Sequence, residues 1–93
     1  MNKYNWNYPT TVWVGENRIN DIAQACNNLG ITRPLLVTDK GLAQTEILKK
    51  TLSILDNNNL SVELYSNVIG NPTGTNVTEG VNYFNKNKCD GVI

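Results

Sequence analysis

Asp39 follows directly on the apolar run Leu35-Leu36-Val37-Thr38. A carboxylate at the carboxyl end of a buried strand can accept hydrogen bonds from the ribose hydroxyls of a dinucleotide. Such an acid is ordinarily preceded by a glycine-rich fingerprint, and Gly15-Glu16-Asn17 is not one. By spacing alone, Asp39 reads equally well as the acceptor that opens a turn before a helix. A second candidate is Asn71-Pro72-Thr73, which as an Asn-Pro sequence reads first as an ordinary loop.

Other chemistry is sparse. The sequence has no histidine, and its two cysteines, Cys26 and Cys89, lack metal-type spacing. We expect both to be reduced thiols in or near the core. Asn59-Leu60-Ser61 and Asn76-Val77-Thr78 match the glycosylation pattern, but no secretory signal accompanies them and they are set aside.

The elements that must position these residues follow from periodicity. Thr11-Val12-Trp13-Val14, closed by Gly15, has the composition of a first strand. Ile19, Ile22, Ala23, Cys26 and Leu29 fall on one helical stripe ending at Gly30, which predicts a helix over 17–29. The unbroken run at 35–38 predicts a strand covered on both faces. Ile47, Leu48, Thr51, Leu52 and Leu55 predict a helix over 45–57, and the alternation of Val62 and Leu64 with Ser61 and Glu63 predicts a strand over 61–65. Ser66 to Gly74 reads as loop. Asn76, placed to cap the backbone at Glu79, opens a helix predicted over 76–87 with Val77, Val81 and Phe84 as its stripe. Asp90-Gly91-Val92-Ile93 enters a last hydrophobic run.

Strands alternating with helices predict an α/β fold, a Rossmann-like parallel sheet with right-handed crossover helices. A strand normally runs roughly five or six residues. The final run is shorter, so residues 1–93 are expected to be a truncated, partial domain. In 93 residues, 40% are hydrophobic, 17% are charged and the net charge is zero, which describes one globular unit without a basic nucleic-acid face. No apolar run is long enough to span a bilayer and the first residues lack a signal-peptide core, so the expected setting is cytoplasmic, with no membrane partner.

Three blocks in order and spacing carry a resemblance: Leu36-Val37-Thr38-Asp39-Lys40-Gly41-Leu42; Asn71-Pro72-Thr73 with Asn76-Val77 and Glu79-Gly80-Val81; and Cys89-Asp90-Gly91-Val92-Ile93. Together they resemble the N-terminal nucleotide-binding segment of iron-type (group III) alcohol dehydrogenases. The resemblance implies a dehydroquinate-synthase-like fold, of which this is the N-terminal part, followed by a helical domain that carries iron or another divalent metal and is absent here. It implies that Asp39 contacts the adenosine ribose and favours NAD, and that Asn71 lines the cofactor cleft. It also implies a Gly-Gly-Gly-Ser turn for the pyrophosphate just after Ile93, and a metal held by an aspartate and three histidines outside this chain. The parent would act on a small alcohol or aldehyde and form a homo-oligomer, and the segment alone would be inactive. Two alternatives stand beside it. One is a glycerol dehydrogenase or dehydroquinate synthase relative. The other is a free-standing flavodoxin-like module of receiver type, which would need a phosphate-accepting aspartate where Ser66 and Asn67 stand.

Overall fold

Leu35 and Leu36 are both buried, one toward each face of a sheet, and the rest of the architecture is arranged around that pair. The computed structural model describes residues 9–69 and 73–93. Its regular elements are α1 (Ile22–Asn28), β1 (Pro34–Asp39), α2 (Glu46–Asn57), β2 (Glu63–Val68), α3 (Gly74–Lys86) and β3 (Gly91–Val92), with 3-10 turns at Arg18–Asp21 and Leu42–Gln44. The strands are parallel in the order β2-β1-β3. The fold is therefore the expected Rossmann-like α/β sheet with crossover helices.

The two faces have separate cores. Ala23 and Cys26 of α1 pack with Leu55 of α2 and with Leu60 on one side. On the other, Leu35, Tyr65 and Cys89 pack against Tyr83 and Phe84 of α3. Both cysteines are free and buried, and burial is the main cause that pushes each thiol's pKa up. Inert core thiols are the outcome.

All three helices end in the same way. Gly30, Asn59 and Lys88 take left-handed dihedrals, and the next residue donates back to the helix: Ile31 to Cys26 O at 2.9 Å, Leu60 to Leu55 O at 3.1 Å and Cys89 to Phe84 O at 3.0 Å. This closure satisfies late helical carbonyls and turns the chain toward the next strand.

Several expectations need correction. Thr11–Val14 forms no strand: nothing among the described residues pairs with it, and Val12 and Val14 are exposed. Trp13 instead lies under the Arg18 guanidinium, 4.6 Å from the ring centre, and beside Ala25 and Leu29 of the first helical region. The helix expected over 17–29 opens with a 3-10 turn, and Leu29, placed on its buried stripe, is 76% exposed. Val37 is also exposed, because the cover over β1 does not reach it on the α3 side.

The strand expected over 61–65 runs instead from Glu63 to Val68, so Ser66 and Asn67 belong to it, and Tyr65 is its deeply buried side chain. α3 starts at Gly74, two residues before Asn76. Its cap is Thr73, whose Oγ1 accepts from Asn76 N at 3.4 Å while Asn76 Oδ1 accepts from Thr73 N at 3.3 Å. The cap expected between Asn76 and Glu79 is displaced by this reciprocal box, which satisfies two donors at once.

Candidate functional site

The chain leaves β1 toward β2 through α2 and returns past β1 to β3 through α3, so α2 and α3 cover opposite faces. In open parallel sheets of this order, a crevice forms beyond the carboxyl ends of the strands where the winding reverses, here at β1 and β3. Asp39 is the last residue of β1 and stands at that point. Across the sheet it is in register with Val68, after a register shift between Val37 and Asp39.

Asp39 is half-buried, and its Oδ1 accepts from Leu42 N at 2.7 Å. Oδ2 has no hydrogen-bond partner among the described residues. Leu42 is braced from the other side, because Thr45 donates to its carbonyl through Oγ1 at 2.7 Å and through its backbone N–H at 3.0 Å. The carboxylate thus serves the turn, as one sequence reading required, and still offers an oxygen to a ligand.

The β2–α3 connection is tied at the same edge. Asn76 Nδ2 donates to Asn67 O at 3.2 Å, so its amide joins the end of β2 to the start of α3. Asn71, the second candidate, lies outside the described residues. Spacing leaves the turn role of Asp39 as one of two readings and does not mark the second use of Asn76, although Thr73-x-x-Asn76 resembles a capping pattern.

From this edge an apolar cavity of about 510 Å³ runs along α3, lined among others by Val37, Tyr65, Val68, Val77, Val81 and Phe84. The Tyr65 hydroxyl donates to Glu79 Oε2 at 2.8 Å, and burial first, then this bond, raises its pKa. The apolar lining suits packing against protein better than it suits a phosphate or a ribose. The carboxyl edge at Asp39 is the better candidate.

At the opposite end of the sheet, Asp90 accepts from Thr32 N at 3.0 Å, Thr32 Oγ1 at 2.8 Å and Arg33 N at 2.7 Å, which clamps the start of β3 to the start of β1. The Thr32 backbone N–H above all, then that of Arg33 and the Thr32 hydroxyl, hold its carboxyl below the usual range. Its place in the fold makes it structural.

A doubly wound parallel sheet with a carboxylate at its switch point is, as a class, a Rossmann-like α/β architecture. Residues 9–93 match the family model for iron-containing alcohol dehydrogenases, and the chain belongs to that family. It is 36% identical over 87 residues to 1,3-propanediol dehydrogenase of Citrobacter freundii, covering 91% of this chain and 22% of that protein. To lactaldehyde reductase of Escherichia coli K12 it is 31% identical over 83 residues, covering 89% and 22%. A crystal structure of 1,3-propanediol oxidoreductase superposes with a TM-score of 0.81 at 37% identity, covering 84% of this chain and 20% of that one. The chain therefore spans about a fifth of the length of these relatives.

Proposed function

We propose that this chain is the nucleotide-binding part of a dehydrogenase that interconverts a small alcohol and its aldehyde or ketone with NAD(H), and that Asp39 accepts from the adenosine ribose. The observation that carries this is the placement of Asp39 at the switch point, with Oδ1 held by Leu42 and Oδ2 without a partner among the described residues. Membership of the family supports the reaction class, and the relatives named for 1,3-propanediol and lactaldehyde support a short substrate. A carboxylate that accepts from ribose hydroxyls also repels the extra phosphate of NADP, so one group both recognises and rejects. Asn71 is proposed as a second residue of the cofactor cleft.

The residues present do not fit the metal that the family name implies. The chain has no histidine, and no three of His, Cys, Asp and Glu converge among the described residues. We place the ligands of that ion in a further, helical domain of the parent protein and assign no step of the reaction to it here. No helix among the described residues is long and apolar enough to cross a membrane. The reading makes the parent a cytoplasmic homo-oligomer without nucleic-acid or membrane partners.

The test is the ratio of kcat/KM for NADH to that for NADPH in the full-length protein, before and after Asp39→Gly. A charge-assisted hydrogen bond is worth about 1.5 to 3 kcal/mol, so the preference for NADH should fall on the order of tenfold to a hundredfold. An unchanged ratio would remove Asp39 from the cofactor site.

A further inference from the structure

Leu42 occupies an exposed turn, and both polar groups of its backbone are engaged. Its N–H meets Asp39 Oδ1 at 2.7 Å, and its carbonyl takes the two donors of Thr45. Gly41, between the acid and this donor, has φ −67° and ψ −49°, ordinary helical values open to any residue. A Cβ at position 41 would stand 3.4 Å from Asp39 Oδ1, so the turn wraps closely around that one oxygen. A hydrogen bond to an ionised acceptor is short and orienting, and it fixes where the second oxygen points.

We infer that the backbone N–H of Leu42 is a positioning group for cofactor selection: it pins Oδ1 of Asp39 and so presents Oδ2 alone to the ribose. The inference rests on the proposed role of Asp39 and adds to it a division of labour. Orientation comes from Leu42 N–H and decides how well NADH is held. Charge comes from Asp39 itself and decides how strongly NADPH is turned away.

Three variants of the full-length protein separate these properties, with KM and kcat measured for NADH and NADPH and the thermal midpoint measured alongside. Asp39→Asn keeps an acceptor for Leu42 N–H but loses the charge, so discrimination against NADPH should fall while the thermal midpoint stays near wild type. Leu42→Pro removes the donor and leaves the charge. KM for NADH should rise about tenfold at unchanged kcat, with rejection of NADPH retained. Asp39→Glu keeps the charge but carries it one methylene past the donor, and should give the same signature even if the proline variant does not fold. If KM for NADH stays at the wild-type value in Asp39→Glu and in folded Leu42→Pro, while Asp39→Asn still alters the cofactor ratio, Leu42 is not a positioning group. If Asp39→Asn leaves the ratio unchanged too, the ribose-contact reading fails and the inference falls with it.

Discussion

Single side chains decide how β3 meets the rest of the sheet. A Cβ on Gly91 would lie 2.5 Å from Cδ1, 2.6 Å from Cγ1 and 2.9 Å from Cγ2 of Ile31, a β-branched side chain packed on the α1–α2 core. Because that side chain is stiff near its own backbone, Gly91→Ala should destabilise the fold by about 1 to 3 kcal/mol, read from chemical denaturation. Its neighbour Asp90 sets an acid limit. The folded pKa of Asp90 is lowered from its usual 3.8, so the clamp contributes fully above that value and is lost as pH falls through the lower folded pKa. Comparing denaturation midpoints of wild type and Asp90→Asn across pH should show a gap at neutral pH that narrows below about pH 4. A gap independent of pH would mean that the clamp owes nothing to charge. Asp39 was visible in the sequence as an acid after an apolar run. Its service to the following turn is one of two sequence readings; that one oxygen holds Leu42 N–H while the other has no partner among the described residues is not, because residue type does not divide the two oxygens of a carboxylate.

At the scale of elements, an apolar spacing of three and four residues marks the helices, but which stripe residues are covered depends on what lies across from them: Val77 and Val81 of the expected α3 stripe and Ile47 of the expected α2 stripe are exposed. The stripe of α2 contains Leu48, Thr51 and the fully buried Leu55. Leu55→Ala should lower stability by about 2 to 5 kcal/mol, through lost transfer energy and the cavity it leaves. Strands were harder to read, because composition marks a residue as suited to a sheet but cannot supply its neighbour. Thr11–Val14 shows this: β-branched and aromatic, it is unpaired among the described residues. The strand expected over 61–65 stops short of the observed β2 because Ser66 and Asn67 look like turn residues, although the ladder continues through them to Val68. The helix ends yield a further prediction. Lys88 has φ 55°, in the region that glycine adopts without a Cβ clash, as Gly30 does at the end of α1. Lys88→Gly should raise stability by about 0.5 kcal/mol, net of the greater freedom of glycine in the unfolded chain, measurable as a higher thermal midpoint.

For the whole molecule, the order β2-β1-β3 puts the acid-bearing strand in the middle and leaves β3 with one neighbour among the described strands. The sequence implied parallel pairing through its alternation of strands and helices, but not this order, which depends on where each crossover returns. The cavity along α3 is bordered by Val77 at 64% and Val92 at 62% exposure, an apolar surface next to the outer edge of β3, which no other described strand covers. Such surfaces associate in water. The 93-residue chain by itself should therefore self-associate at micromolar concentration, seen as a mass above that of one chain by light scattering. A clean monomer would mean that this face is satisfied within one chain.

The proposed role of Asp39 turns on where the adenosine ribose sits. The most direct measurement is a crystal structure of the full-length protein with NAD bound. It should show a ribose hydroxyl within hydrogen-bonding distance of Asp39 Oδ2, with Oδ1 still on the N–H of Leu42. A ribose bound elsewhere, with Oδ2 of Asp39 facing only solvent, would contradict it.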